Sequence, residues 1–132
     1  MNTKILMTSS SLVLGSAGVF ALFVPDVLLS ALGSAATGIL SMLVQLMGAL
    51  YFSMALMNWT AKDSTIGGVY ARPVSLANFG HFLTGMLVLL RYQLSNEMSF
   101  FVFAALVVYA IYAVCFYWLV FRSTGVKSSS RT

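Results

Sequence analysis

Apolar residues fall in four long unbroken runs, at roughly 5–24, 37–59, 74–90 and 98–121, divided by short stretches rich in Pro, Gly, Ser, Asn and charge. Each run has the roughly 17–25 residues that a helix needs to cross about 30 Å of hydrocarbon. A transmembrane barrel would read as short segments alternating apolar and polar positions, and four strands could not close one. In lipid every backbone N–H and C=O must be bonded inside the protein, so four helices follow. The pattern predicts an all-α membrane protein, a four-helix transmembrane bundle over residues 1–122 with a polar tail, Ser123–Thr132.

The connections carry their own signals. Pro25 is expected to end the first span, and Asp26 to cap a short helix over Val27–Leu32 that Gly33 terminates. That helix is apolar enough to lie in the membrane interface. The 60–73 loop holds Gly67-Gly68 and ends at Pro73, which suits the first turn of the third span. Gln93 to Glu97 reads as a tight polar turn, with Asn96 as a cap for the fourth span. Inside the spans, small residues mark where backbones approach: Ser11, Gly15 and Gly18 on the first, Gly48 and Ala55 beside Gln45 on the second, and Gly80, Thr84 and Gly85 on the third.

Composition sharpens the class. Hydrophobic residues make up 60% of the chain and charged ones 8%, where a soluble domain carries roughly a quarter charged. The mean hydropathy of +0.94 agrees. A soluble enzyme, a nucleic-acid-binding module and a disordered segment are thereby excluded. Lys4 before an apolar run also describes a secretory signal, but Ile5–Val24 exceeds a signal core and no small-x-small cleavage site follows, so the first span reads as retained.

Charge placement adds an orientation. Four crossings put Lys4, Lys62, Arg72, Arg122, Lys127 and Arg131 on one side and Arg91 on the other. By the positive-inside rule both termini are expected in the cytoplasm, in a multi-pass protein of the cell (inner) membrane. The net charge of +4 then meets anionic lipid, and no nucleic-acid partner is needed.

Polar side chains at membrane depth are the pointers to function. They are Gln45, Tyr51 and Asn58 on the second span, Asn78, His81 and Thr84 on the third, and Tyr109 and Tyr112 on the fourth. At about 1.5 Å per residue, His81, Tyr51 and Tyr112 lie at similar depths, and Asn78 and His81 share a helix face. One reading is a pocket for a small lipophilic molecule, lined by His81, Asn78, Asn58, Tyr51, Tyr112 and Gln45. The other is that these groups bond neighbouring helices, at about 0.6–2 kcal/mol each, and hold the fold.

No span contains an acidic residue, which disfavours carboxylate-driven proton exchange. A single His cannot supply a bis-imidazole haem, and His81 with Cys115 is too few ligands for zinc or copper. Cys115 has no second Cys to pair with and reads as a small apolar residue. No Cys-x-x-Cys, arginine array or acidic neighbour of His81 is present. The expectation is a protein without catalytic residues, cofactor or metal.

Three segments carry a family resemblance: Pro25-Asp26-Val27-Leu28-Leu29 closing on Leu32-Gly33, Gln45-Leu46-Met47-Gly48-Ala49 opening a run to Asn58-Trp59, and Asn78 with His81. Over roughly residues 20–91 the chain resembles the small four-helix DoxX-like bacterial membrane proteins. That resemblance implies an integral membrane protein, of a group in which some members are accessory subunits of redox or stress-related complexes. It supplies no catalytic residues to carry over.

The fourth span stands apart, with Phe100, Phe101, Phe103, Tyr109, Tyr112, Phe116, Tyr117, Trp118 and Phe121, half of all aromatics in the chain. Two interfacial belts need fewer. The leading expectation is therefore a non-enzymatic accessory or scaffolding protein that meets other membrane subunits, or its own copies, through this span. The lipophile-binding pocket around His81 is the alternative.

Overall fold

The computed structural model describes residues 2–63, 71–96 and 99–122. It is all helical, with α1 (Thr3–Phe23), α2 (Pro25–Ala31), α3 (Gly38–Ala61), α4 (Ala71–Ser95) and α5 (Phe100–Arg122). All but α2 are long and apolar enough to span a membrane. The expected all-α architecture of four spanning helices, with one short helix between the first two, is what the chain adopts. The Gly67-Gly68 loop and the Ser123–Thr132 tail lie outside the described residues.

The chain forms two compact units, Met1–Asp63 and Ser64–Thr132. In the first, α1 and α3 run antiparallel, and each step up α1 is matched by an equal step down α3. At one end the Lys4 ammonium meets the Asp63 carboxylate at 2.7 Å. Further along, Asn58 donates to Ser10 at 3.0 Å and Ser11 donates to the Ala55 carbonyl at 2.7 Å. Gly18 and Gly48 then meet backbone to backbone. A Cβ on Gly18 would lie 2.8 Å from the Phe52 nitrogen, and one on Gly48 would lie 2.9 Å from the Gly18 oxygen. The two small-residue stripes legible in the sequence are thus the two sides of one crossing.

α2 follows from Pro25, though not as expected. Pro25 lacks an N–H and constrains the residue before it, so α1 stops at Val24 (φ −134°, ψ 50°). Pro25 is itself the first residue of α2, and Val24 holds the N-cap position, so Asp26 does not cap the helix. The Asp26 carboxylate instead accepts a hydrogen bond from the Ser41 hydroxyl of α3. Gly33 (φ +74°) closes α2 in a Schellman turn, with Ser34 N–H on the Leu29 carbonyl and Gly33 N–H on that of Ser30. α3 then starts with the Thr37 hydroxyl accepting from Leu40 N–H.

In the second unit α4 runs to Ser95, past the expected end near residue 90. Arg91, Gln93 and Leu94 are good helix formers, and neither Gly nor Pro interrupts them. Asn96 serves the opposite helix from the one expected. Its amide donates to the Tyr92 carbonyl in the last turn of α4, while the Ser99 carbonyl takes the first N–H bond of α5. Gly80 and Thr84 mark no close approach to α5: a Cβ at Gly80 meets nothing within 4 Å among the described residues, and Thr84 bonds back to Gly80 at 2.7 Å. Gly85 does, because a Cβ there would run into the Tyr109 ring of α5, 2.6 Å from Cδ1.

Two substitutions test this packing. Gly48→Val drives a branched side chain into the α1 backbone and should cost roughly 1–3 kcal/mol, read as a lower unfolding temperature in detergent. Both polar atoms of the Gln93 amide are buried, and neither has a hydrogen-bond partner among the described residues. Such atoms cost about 1–3 kcal/mol, so Gln93→Leu should raise that temperature; a fall would show that the amide supports the fold.

Candidate functional site

The six sequence-derived candidates divide between the units, with Gln45, Tyr51 and Asn58 in the first and Asn78, His81 and Tyr112 in the second. Each answers to local geometry. Gln45 is exposed on α3 and donates its amide to the Leu22 carbonyl at 3.1 Å. That carbonyl lies in the last turn of α1, where the break at Pro25 removes the next helical N–H. Tyr51 is half-buried on α3. Asn58 is fully buried, and the Ser10 hydroxyl that accepts its amide passes its own proton to the Met7 carbonyl at 3.0 Å.

Asn78 is also fully buried, on the first half of α4, and donates to the Val74 carbonyl one turn back at 2.9 Å. His81 is half-buried one turn further on. Its Nε2 lies 3.3 Å from the Tyr109 hydroxyl, a contact whose direction follows the imidazole tautomer. The two rings are tilted at 48°, with centroids 5.5 Å apart.

Gly85 makes this pair geometrically feasible. Four residues beyond His81 on the same helix, its missing side chain leaves the space that the Tyr109 ring occupies. Beside the pair, Phe82 and Phe116 are fully buried and nearly parallel at 5.8 Å. Tyr112 stacks on Phe82 at 4.8 Å, and His81 meets the Phe82 edge at 5.2 Å. Phe82 thus links His81 to Tyr112, and His81 also meets Tyr109, one of the polar residues singled out in the sequence but not one of the six pocket candidates. Gly85, opposite a helix rich in large rings, was the available signal for it. Ser10, the partner of Asn58, was hidden among three consecutive serines.

The arrangement combines one imidazole, two phenols and two phenyl rings. It is an aromatic cluster packed around the contact between the His81 imidazole and the Tyr109 hydroxyl. Among the described residues no group of three His, Cys, Asp or Glu side chains is placed to hold a metal ion. Cys115 is half-buried and free.

A double-mutant cycle of His81→Leu and Tyr109→Phe, read by thermal unfolding in detergent, should give a coupling of about 0.6–2 kcal/mol. Additive effects would mean that the pair contributes nothing of its own.

Comparison with known proteins returns no match: no family model, curated protein or solved structure aligns with the chain.

Proposed function

We propose that this chain is a non-enzymatic accessory or scaffolding subunit of the cell (inner) membrane, with both termini cytoplasmic, that associates with other membrane proteins or with its own copies through α5. The six-to-one placement of Lys and Arg supports the orientation. The resemblance to DoxX-like proteins over roughly residues 20–91 points to the same class of role.

The observation that carries the proposal is the outward face of α5. Tyr109, Tyr112 and Phe116 turn toward α4 and Phe121 meets Phe79 of α4 edge-on at 6.0 Å, whereas Phe100, Ala104, Val107, Ile111, Val114 and Trp118 are all exposed. These six recur at alternating steps of four and three, the seam that a second helix packs against in a left-handed crossing. Lipid tails demand apolar residues but no spacing. β-Branched residues fill the middle of the seam, with aromatics at both ends. The intramembrane polar groups serve the other side of the argument, because Gln45, Asn58, Asn78 and Ser11 bond within their own unit.

A second reading has one observation in its favour. His81 and Tyr109, walled by Phe82, Tyr112 and Phe116, suit a small lipophilic molecule bearing one polar group.

Photo-crosslinking residues at positions 111 and 114 in the full chain, expressed in its membrane, should capture another chain. Native mass in mild detergent should exceed one chain. A lone monomer with no crosslink overturns the subunit proposal. A small molecule retained by the monomer and lost in His81→Ala would favour the second reading.

A further inference from the structure

A feature apart from α5 and His81 lies at the start of α1. Asn2, Lys4, Ile5, Thr8, Ser9 and Leu12 line an open groove of about 360 Å³ on the outer side of that helix. Its walls are apolar in use. Ser9 turns its hydroxyl back to the Leu6 carbonyl at 3.1 Å, and the Asn2 side chain accepts from Lys4 N–H, so the groove presents stems and methyl groups. Ile5 and Leu12 are 66% and 63% exposed, and no element of the first unit covers them.

Charge collects where this groove reaches the end of the span. The Lys4 ammonium lies 2.7 Å from Asp63, and Lys62 sits 3.1 Å over the Trp59 ring. Both lysines act on Asp63, whose carboxyl they hold below its usual range. Two cations around one carboxylate leave a net positive charge beside a groove that runs down into the hydrocarbon. The ammonium has three donors, and Asp63 takes one.

We propose that this groove is a binding site for an anionic phospholipid, with its phosphate on Lys4 and one acyl chain laid along Ile5, Thr8 and Leu12. Charge complementarity selects the headgroup, since a cation near the membrane surface favours anionic over zwitterionic lipid. Depth selects the chain, because the groove follows the first two to three turns of a spanning helix. Trp59 lies in the last turn of α3, the end of a span where indole rings concentrate. Asp63 sets the affinity by competing for the Lys4 ammonium.

The test uses the full chain in nanodiscs of mixed phosphatidylglycerol and phosphatidylcholine, followed by native mass spectrometry of retained lipid. Phosphatidylglycerol should be retained about fivefold over phosphatidylcholine, the preference of roughly one lysine contact. Lys4→Gln should bring the two lipids level, and Asp63→Asn should raise the preference. Leu12→Trp, which fills the groove, should lower retention of both. Equal retention by the unaltered chain overturns the proposal. So does a preference that survives Lys4→Gln, or one that falls in Asp63→Asn.

Discussion

A polar group in hydrocarbon has no water to turn to, and that constraint organises this chain. Helix ladders satisfy the backbone, and side chains follow the same rule. Ser9, Ser10, Ser16, Ser53 and Thr84 each return a hydroxyl proton to a carbonyl three or four residues back on their own helix. The longer amides reach further. Gln45 closes the carbonyl left open where α1 breaks, and Asn58 reaches Ser10 across the α1–α3 contact. Most polar residues within the spans are thereby accounted for by the fold itself.

Close approach is the complement of that rule. Lipid supplies no hydrophobic drive between helices, so contact depends on packing and short hydrogen bonds. The first unit achieves this with Gly18 against Gly48 and with Ser11 on the Ala55 carbonyl. The second uses another device, a ring rather than a backbone in the glycine notch, with Tyr109 over Gly85 and a stack of Phe82, Tyr112 and Phe116 beside it. One hairpin is closed by absent side chains and the other by large ones. His81 belongs to the second device, and its bond to Tyr109 is as much a part of packing as of chemistry.

In the proposed role, function is a matter of surfaces. α5 presents a seam with helix-packing spacing, and the start of α1 presents an apolar groove beneath a cationic cluster. The two occupy different helices and suit different partners, another helix and a charged lipid. Neither requires a reacting group.

The spans, the short helix after Pro25 and the facing stripes of α1 and α3 were legible in the residues. They follow from run length, proline and glycine stereochemistry, and the 3.6-residue period, all local in the chain. The candidate site was legible only as a set of residue types at similar depth. Which groups meet depends on helix rotation and register, which change a partner for each 100° of turn. So Asn96 finished α4 instead of starting α5, Asp26 bonded Ser41 instead of capping α2, and His81 met Tyr109, a polar residue named in the sequence but left out of the expected pocket. The sequence by itself determined how many times the chain crosses and where it turns, because burial in lipid is a property of a segment. Tertiary structure alone decided the pairs, because a hydrogen bond at 3 Å is a property of two segments and their phase.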